Sequence, residues 1–107
     1  MALSCNMISK ILLPAVRISI AEELKNRYGY NQSRIAEGLG VAQGAVSKYL
    51  NGHYSKETEA LKNVIVENKM NSEVLRSIIE KKSHAEVAIG IDRLCADSFL
   101  LSLAHKS

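Results

Sequence analysis

An all-α fold of about six helices is what this sequence predicts, and three observations carry the prediction. Period-two apolar runs are nearly absent, and only five aromatic residues and one proline occur, so little in the chain favours strands. Apolar residues recur instead at three- and four-residue intervals. Glycine or asparagine stands where several of these stretches stop, as helix ends require. At 107 residues there is room for one compact core, or for a minimal module with a helical extension, but not for two ordinary domains. Apolar types make up 47% and charged types 23%, the balance of a chain that folds.

Each element follows from its local residues. Pro14 suits the first turn of a helix, where its missing N–H costs nothing, and Val16, Ile20, Leu24 and Tyr28 then recur at four-residue spacing before Gly29. Asn31 is a good N-cap for a short helix from Gln32 to Leu39, with Ile35, Ala36 and Leu39 inward and Gly40 closing it. A third helix runs from Gln43 to Leu50, with Val46 and Leu50 on one face and Asn51-Gly52 beyond it. After Tyr54 the helices lengthen. Ser55 caps one reaching about Asn68, with Glu57 and Glu59 in its positive first turn and Leu61, Val64 and Ile65 inward. Another spans Glu73 to Lys82 with Val74, Leu75, Ile78 and Ile79 inward. The last runs from about His84 to His105 and places Val87, Ile91, Leu94, Ser98 and Leu101 at heptad-like intervals. The opening run to Val16 reads as a packed N-terminal segment. Residues 1–54 thus form one unit and residues 55–107 a helical C-terminal region.

Charge divides along the same line. Up to Tyr54 there are 6 basic and 3 acidic residues, 6 − 3 = +3; from Ser55 onward 8 basic and 8 acidic residues cancel, so the whole net charge of +3 lies in the first half. One half suited to a polyanion and one suited to protein is the expected meaning. The apolar stretch Ala85 to Ala104 is nearly long enough for a membrane span, but Glu86, Asp92, Arg93 and Asp97 would be costly there, and a cytoplasmic, soluble helix is expected instead. Cys5 and Cys95 are ninety residues apart, without Cys-x-x-Cys spacing or a histidine pair, so no metal site is expected. Free thiols are the expectation in a reducing cytoplasm, with a disulfide reserved for a thermophile or a redox sensor. His53, His84 and His105 share no spacing and read as surface or capping residues.

The stretch from Gln32 to Gly52 has the anatomy of a helix-turn-helix. Two helices crossing steeply over three residues need a small residue at the crossing, one that takes a left-handed conformation at the turn, and apolar residues that lock the angle. Ala36, Gly40 and the set Ile35, Leu39, Val41, Val46 and Leu50 supply these.

With these residues in view, Leu13 to Gly52 resembles the lambda-repressor-like helix-turn-helix regulators, and most of all small archaeal transcriptional regulators with a Leu-Pro-Ala-x-Arg opening helix. Leu13-Pro14-Ala15-Val16-Arg17, Gln32, Ile35-Ala36, Leu39-Gly40, Gln43, Ala45-Val46-Ser47 and Tyr49-Leu50 carry the likeness. The resemblance implies double-stranded DNA as the partner, with Gln32 and Gln43 together at the mouth of the major groove. Glutamine suits that place because it pairs with adenine N6 and N7, while a helix N-terminus favours a nearby phosphate. Ser47 and Lys48 would face base edges or phosphate one turn on, Asn51 would bind the backbone, and Arg34 would reach a phosphate beside it. Gly44 departs from the pattern, since it puts no side chain where many relatives carry a groove-reading one. Readout then leans on DNA shape. Such regulators often carry a further ligand-binding domain that has no counterpart here, so effector control does not carry over, and no cofactor is expected.

Three functions compete on these residues. A sequence-specific regulator acting as a homodimer leads, because one short recognition helix contacts too few bases, and Val87, Ile91, Leu94 and Leu101 offer a stripe for the two-fold interface, unless they cover the core of a monomer. An architectural protein coating DNA with little preference is consistent with Gly44. An antitoxin or adaptor using the same helices to bind protein is disfavoured by Gln43, Lys48 and Asn51 on one face. An enzyme is not expected, since no phosphate loop, paired-carboxylate signature or Cys/His/Asn constellation occurs.

Overall fold

The computed structural model describes residues 8–106, which form seven α-helices and no strand. A π-helical turn, Ile8–Leu12, runs directly into α1 (Leu13–Tyr28), whose Pro14 sits in the first turn as its missing N–H requires. Then follow α2 (Gln32–Leu39), α3 (Gln43–Leu50), α4 (Lys56–Glu67), α5 (Ser72–Ile79), α6 (His84–Cys95) and α7 (Ser98–Lys106). Capping side chains fix the starts of α2, α4 and α6. Asn31 Oδ1 accepts from Arg34 N–H at 2.8 Å, Ser55 Oγ from Thr58 N–H at 3.2 Å and Ser83 Oγ from Glu86 N–H at 3.2 Å.

The four-residue pattern in α1 marks its buried side only in part. Val16, Ile20 and Leu24 are fully buried as expected, but so are Ala15, Ile18, Ser19 and Ala21, and Tyr28 is 42% exposed. The reason is position: α1 lies against α3 and α4 on one side and α6 on another, so helices from both halves of the chain close around it. One continuous core results, drawing Val16, Leu24, Ile35 and Val46 from before Tyr54 and Leu61, Ile65, Val74, Val87, Ile91 and Leu100 from after it. Burial of such side chains contributes about 1.5–3 kcal/mol each.

The C-terminal reading needs two corrections. The expected final helix is two helices, because Asp97 turns the chain: its carboxylate accepts the Leu100 N–H at 3.0 Å and caps α7. The heptad-like stripe is therefore divided between two helices, and its Ser98 is exposed. Val87 and Ile91 are 2% and 5% exposed within the chain's own core, and Leu94 and Leu101 are half-buried against it. The second correction is shorter. α5 stops at Ile79 rather than Lys82, since Lys81 takes a left-handed conformation at φ +59° and Lys82 N–H turns back to the Ser77 carbonyl at 2.9 Å.

Candidate nucleic-acid interface

α2 and α3 meet across Gly40, Val41 and Ala42. Gly40 stands at φ +70°, where an L side chain is strained, and Val41 N–H bonds the Ala36 carbonyl at 3.0 Å, so the chain leaves α2 sharply. Ala36 is 5% exposed, and Ile35, Leu39 and Val46 are buried beside it. Their burial sets the angle between the two helices. No side chain caps α3, whose N-cap position is Ala42.

Burial leaves α3 with one free side. Val46 is inside, while Ala45, Tyr49 and Leu50 are half-buried. Gln43, Gly44, Lys48 and the following Asn51 are exposed, with Ser47 half-buried among them. At about 100° per residue these five span about 140° of the helix, opposite the buried face. Asn51 Nδ2 donates to Ser47 Oγ at 3.2 Å, which ties the end of the arc to its middle. Gly44 has open space where a β-carbon would sit, so packing does not explain it. The arc holds amide and hydroxyl groups and one cation, and no carboxylate. Such a surface offers paired hydrogen bonds to base edges and a charge for phosphate.

Gln32 and Arg34 lie exposed in the first turn of α2. No hydrogen bond joins Gln32 to Gln43 among the described residues. The Arg34 guanidinium lies 4.0 Å from the centre of the Tyr30 ring, an arrangement visible beforehand only as a four-residue spacing. Reading the halves separately missed the neighbours of Arg34: Lys81, Lys82 and His84 come from the C-terminal region and share a cleft with it.

The other chemistry-bearing residues lie elsewhere. Cys95 is a half-buried free thiol whose burial, with Asp92 nearby, pushes its pKa up against the pull of Arg17; Cys5 lies outside the described residues. His84 Nε2 contacts the Glu37 carbonyl at 2.8 Å, and His53 is exposed. The His105 side chain lies outside what is described. No cluster of three metal-ligating side chains occurs among the described residues. No helix among them is long and apolar enough to cross a membrane. Comparison with protein-family models, with curated proteins and with solved structures finds no match for this chain.

Proposed function

We propose that the chain is a DNA-binding transcriptional regulator of the helix-turn-helix kind, similar to lambda-repressor-like proteins, reading duplex DNA through α3. The observation that carries this reading is the exposed, carboxylate-free arc of Gln43, Gly44, Ser47, Lys48 and Asn51 on a helix braced from behind by Val46. Gln43 and Ser47 are the base-reading side chains, and Lys48, Asn51 and Arg34 hold the backbone. Two copies on adjacent half-sites about 34 Å apart supply the contacts that one short helix lacks. The exposed Ile89 and Phe99 of α6 and α7 offer apolar surface for their mutual contact.

One observation favours a second reading, an architectural protein of low sequence preference. Gly44 leaves the middle of the arc bare with no steric need to do so. Titration of labelled duplexes across salt separates both readings from a protein-binding role. Two or three cations per subunit give a log–log salt slope of about 4 to 6 for a dimer, and a flat profile rejects DNA binding in either form.

A further inference from the structure

The electrically neutral C-terminal half lends its cations to the surface around Arg34. Between α2 and the turn from α5 to α6 lies a cleft of about 310 Å³, lined by Tyr30, Arg34, Glu37, Lys81, Lys82 and His84. Of the eight residues that line it, four are basic types, and Glu37 is the sole carboxylate. Arg34, Lys81 and Lys82 form no ion pair among the described residues, whose three salt bridges engage Arg27, Lys62 and Arg93. Their charge is therefore available to an outside anion.

The cleft is also rigidly built, which sets it apart from a scatter of surface lysines. A β-carbon on Gly38 would lie 2.7 Å from Ile78 Cγ2, so the missing side chain is what lets the end of α5 press onto α2. His84 Nε2 to the Glu37 carbonyl, at 2.8 Å, pins the start of α6 to the same helix. Arg34 is held against the Tyr30 ring. Lys81 takes a left-handed backbone at φ +59°, which turns the chain from α5 toward α6. A cation held in advance, as Arg34 is, loses little entropy on binding.

We propose that this cleft seats a backbone phosphate of the DNA flanking the base pairs read by α3, so that Lys81 and Lys82 extend the contact begun by Arg34. The proposal rests on the DNA-binding reading of α3. Geometry supports a single continuous contact, because Arg34 belongs both to the first turn of α2, beside Gln32, and to the cleft. The contact is to phosphate alone, so it adds affinity without sequence preference.

The test compares wild type, Lys81→Gly/Lys82→Gln, Glu37→Gln and Gln43→Ala by fluorescence anisotropy on one selected and one random duplex, each across a salt series. Loss of Lys81 and Lys82 should lower the salt slope by about two per subunit and weaken both duplexes alike, leaving their affinity ratio intact. Glycine relieves the turn at Lys81, so the melting temperature should not fall; weaker binding with an undiminished melting temperature separates a binding role from a structural one. Glu37→Gln, which removes the only carboxylate of the cleft, should tighten both duplexes. Gln43→Ala should change the ratio and leave the slope alone. Wild type that binds DNA, together with a double variant of unchanged slope, overturns the cleft and leaves the reading of α3 intact. Wild type that binds no duplex overturns both.

Discussion

Asn71 donates through Nδ2 to Ser19 Oγ at 3.2 Å, joining the start of α5 to the middle of α1 across 52 residues of chain. Ser19 Oγ in turn donates to the Val16 carbonyl at 2.7 Å. Both side chains are buried, at 1% and 0% exposure, so neither has water as a substitute partner. A buried polar group left without its partner costs about 1–3 kcal/mol. Asn71→Ala should lose about that much in urea denaturation, and Asn71→Ala with Ser19→Ala less than the sum of the two single changes. Because the pair ties both halves into one core, unfolding followed by any probe should show one transition; two separated transitions would contradict the shared core.

Gly44 offers a change of opposite sign. It lies inside a helix with nothing within 4 Å of its missing β-carbon. Gly44→Ala should stabilise the fold by about 0.5–1 kcal/mol, since glycine costs a helix that much relative to alanine. A longer polar side chain there, as in Gly44→Gln, should raise the preference of α3 for particular base pairs. Thermal melting checks the first effect and competition between duplexes the second.

Glu22 accepts from Lys62 Nζ at 3.0 Å and from Tyr54 Oη at 3.1 Å, holding α4 and the segment after α3 to α1. Burial raises the pKa of Tyr54, and the charge of Glu22 and the hydrogen bond to it add to the rise. Burial acts the other way on Lys62, but hydrogen bonding and charge from Glu22 outweigh it and the net direction is again up. A folded-state pKa above the unfolded value gives stability that is complete below the unfolded value and lost as pH climbs through the folded one. Stability should therefore hold from neutral pH to about 10, the ordinary range of tyrosine and lysine, and decline above it. Tyr54→Phe/Lys62→Met should flatten that decline; an equally steep alkaline loss in the variant would contradict the assignment.

Apolar substitutions on the last two helices separate core from surface. Ile91 is 5% exposed, whereas Ile89 is 51% and Phe99 54% exposed. Ile91→Glu should unfold the chain or bring it close to unfolding, because an unpaired charge would enter the core. Ile89→Glu/Phe99→Glu should leave a folded protein whose self-association, read by light scattering at rising concentration, is reduced. A folded Ile91→Glu protein with the wild-type melting temperature would show that the C-terminal packing is different.

What the sequence made legible was local. Glycine at 40, asparagine at 31 and serine at 55 mark helix ends by backbone and capping chemistry that acts within four residues, and those boundaries agree with the observed ones. The arc on α3 was readable for the same reason, since exposure on a short helix follows from Val46 and the period of 3.6. Long-range choices were not legible. Periodicity alone continues α6 through Asp97, and only the contact between the Asp97 carboxylate and Leu100 N–H reveals the break. An apolar stripe on Val87 and Ile91 reads the same whether it covers its own core or another chain. The cleft at Arg34 depends on Gly38 admitting Ile78, a fit between residues 40 positions apart that neither helix announces by itself.

The proposed reading of a base edge by Gln43 on α3 is tested by the affinities of wild type and Gln43→Ala for a duplex obtained by selection from genomic fragments and for a random duplex of equal length. Wild type should prefer the selected duplex, and Gln43→Ala should lose about 1–3 kcal/mol on it while binding the random one almost as before. Equal losses on the two duplexes, or no binding of wild type to either, would rule out base reading by Gln43.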